Sequence, residues 1–172
     1  MSWQRRHLLL AAPAMPLALS ACGSAAVQNL PTLAAALQAI DGLATGWRST
    51  GAWSLAQVLN HAAQSIEYSM GGFPESKSAL FRATVGSAAF ALFDARGAMS
   101  HSLAEPIPGA PALAATEALP AAIARATTAL RAFEAHRGAL APHFAYGALD
   151  KAQYTRAHLM HLANHWSELI RT

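Results

Sequence analysis

Three histidines and one carboxylate near the C-terminus share one face of a predicted helix. His158, His161 and His165 are followed by Glu168, and at about 100° per residue the four fall within about 80° of one another. His161 and His165 are four residues apart, the spacing at which a helix presents two imidazoles to one ion. Leucines and a tryptophan beside this stripe place it at the border of the buried face, where imidazoles need a partner. A divalent cation is one such partner.

The same spacing is also compatible with two explanations that involve no metal. The histidines could form an exposed polar stripe on a terminal helix, or they could be core side chains that hydrogen-bond to backbone carbonyls. If a metal is bound, His158 is a candidate fourth ligand or a residue that supports a ligand. Glu168 is a candidate to orient His165 or to act as a catalytic base. Spacing does not rank these roles.

A further histidine, His61, lies in the middle of a second predicted helix. That helix has the best-marked start in the chain, because Ser54 and Gln57 have the spacing of a capping box. His61 lies about 120° from the centre of the leucine stripe, on the flank of the buried face. This position suits a ligand shared between two helices and equally suits a side chain in solvent. Loop or helix-terminal positions, without a predicted site role, are expected for His101, His136 and His143.

Two segments carry a resemblance to a known superfamily. Residues 53–61, Trp-Ser-Leu-Ala-Gln-Val-Leu-Asn-His, and residues 161–165, His-Leu-Ala-Asn-His, resemble the DinB-like superfamily, including its branch of unknown function. The turn at 142–147, Pro-His-Phe-Ala-Tyr-Gly, is similar to a Pro-aromatic-Gly turn of that branch. The resemblance covers about residues 30–170. It implies a four-helix bundle with His61, His161 and His165 as ligands of zinc, nickel or iron.

Three protein ligands leave open positions on a metal, the arrangement of catalytic rather than closed structural sites. The first functional hypothesis is therefore a metal-dependent reaction on an unidentified small molecule, either hydrolytic or linked to a thiol. Characterised members of the superfamily that this chain resembles include thiol-dependent transferases and an isomerase. The second hypothesis is a non-enzymatic envelope protein that binds metal or a small ligand. A third keeps the fold without a metal. The sequence leaves the oligomeric state open, with a homodimer as one candidate.

Glycine and proline residues divide residues 29–172 into helical segments. Apolar and polar residues show no sustained alternation of the kind typical of strands. We therefore predict an all-α fold, a four-helix bundle with a short extra helix and a proline-rich crossing loop at residues 99–111. Predicted helices run from a cap at Asn29, with Pro31 in the first turn, to about Gly46; from 54 to Gly71; from 76 to 96; from 117 to 136; and from 150 almost to 172.

The first 21 residues have the layout of an export leader. Arg5 and Arg6 precede an apolar stretch at 8–19, which at about a dozen residues is shorter than the roughly 20 needed to span a membrane. The arginine pair resembles a twin-arginine signal, and residues 19–22 resemble a lipobox that ends at Cys22. Lipidation of Cys22 would anchor the protein to a membrane, with residues 22–28 as a linker. The expected location is the periplasm or a membrane of a bacterial envelope.

Composition excludes several other classes of protein. Only 12% of residues are charged, and with its supply of large apolar side chains the chain is not intrinsically disordered. Its single cysteine rules out a disulfide scaffold and argues against a thiolate zinc site in the folded part. Loss of Arg5 and Arg6 with the leader would lower the formal net charge from +3 to +1. No nucleic-acid partner is therefore predicted.

Overall fold

A computed structural model describes residues 29–172, which form a mostly helical, all-α structure with one small two-stranded sheet. In chain order the elements are α1 (Leu33–Asp41), a 3-10 turn (Gly42–Ala44), β1 (Trp47–Ser49), α2 (Leu55–Gly71), α3 (Ala79–Phe81), a π turn (Arg82–Gly86), α4 (Ser87–Arg96), α5 (Leu119–Ala135), α6 (Lys151–Trp166) and β2 (Leu169–Arg171). Residues 97–118 contain neither helix nor strand, as their prolines predict. Within 29–172, none of the helices has both the length and the apolar character that a membrane crossing requires.

The core lies where α2 packs against α5 and α6, with α1 against α5 and α6. Its largest enclosed side chains include Ile40, Leu59, Phe133, Tyr154 and Trp166. Small buried side chains lie between the large ones on α2 and α5, namely Ala62, Ala63, Ala122, Ala126 and Ala129. Alanine at these contacts lets helix backbones approach closely without loss of helix propensity. Part of the high alanine content is therefore explained by close packing between these helices.

Both helices that carry the candidate ligands begin at complete capping boxes. At α2, the Ser54 hydroxyl accepts from the Gln57 N–H at 3.3 Å, and the Gln57 side chain accepts from the Ser54 N–H at 3.0 Å. At α6, Asp150 and Gln153 make the same pair of bonds at 2.7 and 2.9 Å. Each box satisfies two backbone donors that a helix start leaves unpaired. The predicted starts of both helices are confirmed.

Two other predicted helix starts are wrong by a few residues. The first helix begins at Leu33, because Thr32 rather than Asn29 caps it: the Thr32 hydroxyl accepts from the Ala35 N–H at 3.1 Å. Pro31 therefore precedes the cap. The helical stretch predicted from residue 76 begins after Ser78, which caps α3, and a π turn separates α3 from α4. Neither correction moves a candidate ligand.

The predicted end of the last helix is also wrong. α6 stops at Trp166, where the N–H groups of Ser167 and Glu168 donate to carbonyls three residues back, each at 3.2 Å. The chain then forms β2, which pairs antiparallel with β1 so that Trp47 lies opposite Arg171. A pairing across more than a hundred residues overrides the local helical pattern. As a result, Glu168 leaves the face that carries the histidines.

The turn at 142–147 packs against the start of α4 through a close backbone contact. Gly86 is buried, and a Cβ atom at that position would lie 1.9 Å from the carbonyl oxygen of Ala145. Only glycine permits this approach. Within the turn, His143 and Gly147 exchange backbone hydrogen bonds of 2.7 and 3.1 Å. These contacts hold His143 beside α2 and α6.

Candidate metal centre

His61 of α2 and the pair His161 and His165 of α6 meet in the interior. One nitrogen from each ring lies within 4.8 Å of the others, and the ring centroids are 4.9 to 5.1 Å apart. All three side chains are buried. The flank position of His61, which spacing alone left ambiguous, faces α6. The three residues that the resemblance implied as ligands are therefore together in the folded chain.

The geometry of the cluster fits a divalent transition metal. The Nε2 atoms of His161 and His165 are 3.2 Å apart, close to the roughly 3.3 Å that two nitrogens subtend at a tetrahedral zinc ion with bonds of about 2.0–2.1 Å. Among residues 29–172, the Nδ1 atoms of His61 and His165 are enclosed and have no hydrogen-bond partner. An unsatisfied buried polar atom costs about 1–3 kcal/mol. Coordination through Nδ1 would give His61 a partner, whereas His165 would coordinate through the Nε2 that faces His161.

Burial keeps these three rings in the form that binds metal. It lowers the pKa of His61 to about 4 and that of His165 to about 3, and it holds the pKa of His161 well below the ordinary value of a histidine. The charges of neighbouring histidines account for the smaller part of these pKa shifts. At neutral pH each ring is uncharged and offers a lone pair. A metal therefore needs to displace no proton from an imidazolium.

Trp53 and His101 flank the cluster on two sides. The ring of Trp53 lies 4.8 Å from that of His61 and stacks on His165 at 6.0 Å. His101 comes from the crossing loop, and its ring lies 5.1 Å from that of His161. Its Nδ1 donates to the Ser102 carbonyl at 2.8 Å, which leaves Nε2 as an acceptor when the ring is neutral. The prediction gave His101 no role, since no local spacing links a loop residue to a helix 60 positions later.

The structure separates His158 and Glu168 from the three-histidine cluster. His158 is buried one turn before His161, but its Nε2 is 3.2 Å from the hydroxyl of Ser69, and it is not in the group that could share an ion. Glu168 lies beyond α6 and is half-buried, and its backbone carbonyl accepts from Thr50 at 2.8 Å. Its side chain makes no hydrogen bond to His165, whose Nδ1 has no partner within 29–172. A catalytic role for Glu168 stays a prediction.

A cavity of about 220 Å³ adjoins the cluster, and both His61 and His161 line it. Aromatic and aliphatic side chains form much of the wall, among them Phe81, Ile107, Phe144 and Tyr146. The exposed side chains of Lys77 and Glu105 also line it. A cavity of about 150 Å³ can hold benzene, so this volume is sufficient for a small organic molecule. The cluster is therefore accessible from a space that a ligand can occupy.

His143 is a second residue whose position the sequence pattern did not reveal. It was predicted as an ordinary loop histidine, yet it is buried in the cavity wall. Its ring stacks on Tyr146 at 4.2 Å with an angle of 6°. The one sequence signal for this position is the turn 142–147 itself.

Arg5, Arg6 and Cys22, on which the export and lipidation predictions rest, lie outside the described residues.

Comparison with known proteins identifies a family and nothing finer. The model of a family described as "Protein of unknown function (DUF1569)" matches residues 26–172. Neither the curated proteins nor the solved structures provide a match. The family match spans both segments that carry the candidate ligands and the whole of the described structure. The chain therefore belongs to the DUF1569 family.

Proposed function

We propose that this protein binds one divalent transition metal through His61, His161 and His165 and uses it in a reaction on a small molecule in the adjoining cavity. The observation that carries the proposal is the convergence of three neutral, buried imidazoles, two of which, His61 and His161, line a cavity. Three ligands leave positions open to a substrate. Imidazole suits zinc, nickel and iron alike, so the donor set does not select among them.

We also infer that the helices form a DinB-like four-helix bundle, with α1, α2, α5 and α6 as its members. Mutual packing of these helices supports this arrangement. So does the origin of the ligands, one from α2 and two from α6. The stretch from α3 to α4 and the crossing loop would then lie outside the bundle and close the cavity, to which they contribute Phe81, His101 and Ile107.

Each residue around the cluster has a different role in the proposed reaction. A bound divalent ion would supply Lewis acidity toward an oxygen or sulfur atom of the small molecule. Trp53 shields the cluster from water on one side. His101 holds an acceptor nitrogen beside His161 and can receive a proton when its ring is neutral. Glu168 is the other candidate base, and it would have to turn toward the cluster to act.

Titration of chelator-stripped protein with Co²⁺ tests the proposal. We expect visible absorption that saturates at one ion per chain, because nitrogen ligands in a low-symmetry site make Co²⁺ coloured. A small thiol that then produces a new charge-transfer band would favour the thiol-linked reaction, and an unchanged spectrum would favour hydrolysis. Failure to saturate at any stoichiometry would refute the metal site. Saturation without turnover of any small molecule would favour the non-enzymatic binding protein.

We further propose that the protein is exported and anchored by a lipid on Cys22, as the leader pattern indicates. Intact-mass measurement of protein extracted from bacterial membranes should give a chain that begins at Cys22 and carries acyl groups. Cys22→Ser is expected to leave the protein in the soluble fraction, because the hydroxyl cannot form the thioether. An unmodified N-terminal residue in the membrane-extracted protein would contradict the lipid anchor.

A further inference from the structure

His143 and His158 line the same cavity as His61 and His161 but are outside the three-histidine cluster. Both rings are almost fully enclosed, with 8% and 3% of their residue surfaces exposed. Each also packs against Tyr154, at centroid distances of 6.2 and 5.4 Å. Buried polar rings that protein contacts satisfy only in part require an explanation.

The hydrogen bonds of His143 determine which of its nitrogens carries the proton. Nδ1 lies 3.1 Å from the Ala145 N–H and 3.2 Å from the Tyr146 N–H. A backbone N–H can only donate, so Nδ1 must hold a lone pair. Burial, and to a smaller extent the charges of His158 and His101, lowers the pKa of this ring to about 3. The neutral ring therefore carries its proton on Nε2, which is a hydrogen-bond donor.

The hydrogen-bond partner of His158 likewise determines which of its ring nitrogens carries the proton. The Ser69 hydroxyl donates its one hydrogen to the Ile66 carbonyl at 2.6 Å, so it can only accept from His158 Nε2 at 3.2 Å. Burial lowers the pKa of His158 to about 3, and the neutral ring keeps a lone pair on Nδ1. His158 thus offers a hydrogen-bond acceptor.

Neither of these two nitrogens is used within the described chain. His143 Nε2 and His158 Nδ1 make no hydrogen bond to residues 29–172, and they are not among the fully enclosed unpartnered atoms there. Since both rings line the cavity, the cavity is where a partner can reach them. The cavity lining therefore includes one donor, on His143, and one acceptor, on His158; the surrounding backbone and Ser69 determine these roles.

We propose that this pair recognises a neutral amide, whose carbonyl accepts from His143 Nε2 and whose N–H donates to His158 Nδ1. A carboxylate would meet the lone pair of His158, and an ammonium would meet the N–H of His143. Either charged group would also lose its hydration among buried, uncharged rings. Lys77 and Glu105 are exposed and carry opposite charges, so they favour neither ion. Aromatic walls accommodate the rest of such a ligand.

The inference deepens the proposed function, on which it rests for the claim that the bound amide is a substrate. The recognition itself needs no metal and is tested on metal-free protein. Long-range ¹H–¹⁵N correlation spectra of the histidine rings should show the Nε2–H form for both His143 and His158. A spectrum in which either ring is protonated on Nδ1 would overturn the assignment, whatever the outcome for metal binding.

Three probes of equal size then test the ligand class: benzamide, benzoate and benzylamine, titrated in the presence of a chelator. We expect benzamide to bind at least about tenfold more tightly than either ion, with a shift of the His158 Nδ1 resonance. Preference for benzoate would instead identify an anion site at Lys77, and preference for benzylamine a cation site at Glu105. Either preference would overturn the proposal.

Two variants remove one hydrogen bond each and keep the structural contact of the ring. His143→Asn retains an oxygen to accept from Ala145 and Tyr146 but loses the Nε2–H. His158→Gln retains a donor to Ser69 but loses the Nδ1 lone pair. Each should weaken benzamide binding by roughly three- to tenfold, whereas the control His136→Asn, outside the cavity, should not. Unchanged benzamide affinity in both variants would refute the pair. Saturable Co²⁺ binding, measured separately, reports on the metal proposal alone.

Discussion

Replacement of His161 by glutamine is expected to lower metal affinity by at least about 100-fold, since loss of even an outer partner of a metal ligand costs 10–100-fold. His161 lies 3.2 Å from His165 through the facing Nε2 atoms and lines the cavity wall. Without it two imidazoles remain, on different helices, and neither α2 nor α6 then presents an adjacent pair. Glutamine preserves most of the side-chain volume and so limits the loss of stability from a cavity.

Elemental analysis after dialysis of untagged protein measures this effect. The unmodified protein should retain one metal ion per chain, and His161→Gln should retain almost none. His136→Gln provides the matched control, because His136 is partly exposed just after α5 and its ring hydrogen-bonds within residues 29–172 only to the Ala139 carbonyl. Thermal unfolding of each variant shows whether the chain is folded when its metal content is measured. Equal metal content in a folded His161→Gln variant and in the control would refute the site.

Acidification of the metal-free protein from pH 6.5 to pH 5 is expected to remove several kcal/mol of unfolding free energy. Burial lowers the pKa of His61 to about 4 and the pKa values of His143, His158 and His165 to about 3. In the unfolded chain each titrates near 6.5. Between these values the unfolded chain binds protons that the folded chain does not, so stability increases with pH and is complete above about 6.5.

Each of these histidines adds up to about 1.4 kcal/mol per pH unit within that window. The loss of unfolding free energy, summed over the four histidines between pH 6.5 and pH 5, is comparable with the total stability of an ordinary domain, about 5–15 kcal/mol. Urea unfolding at a series of pH values, with a chelator present, gives the slope directly. His143→Asn should reduce the slope by roughly the share of one histidine. A stability that is flat between pH 6.5 and 5 would show that the rings are not buried and neutral.

Much of the site was predictable because its signals are local. The two capping boxes depend on residues three positions apart, so the starts of α2 and α6 were evident in the sequence, and with them the place of His61 and His165 within each helix. The His161–His165 spacing needs one helical turn and no tertiary contact. Predictions failed where a distant partner intervened, as at Trp166, where β2 pairs with β1 and ends the helix before Glu168.

Local spacing could predict the helices and the pair of imidazoles on α6, because helix periodicity and capping act over a few residues. It could not predict that His61 points toward α6, that the crossing loop delivers His101, or that Gly86 admits the turn that carries His143. Those placements depend on contacts between segments far apart in the chain. The packing of the helices against one another decides which part of the fold each side chain faces. The candidate ligand pair on α6 was therefore visible in the residues, whereas its approach to His61 and the cavity beside it became visible only in the folded protein.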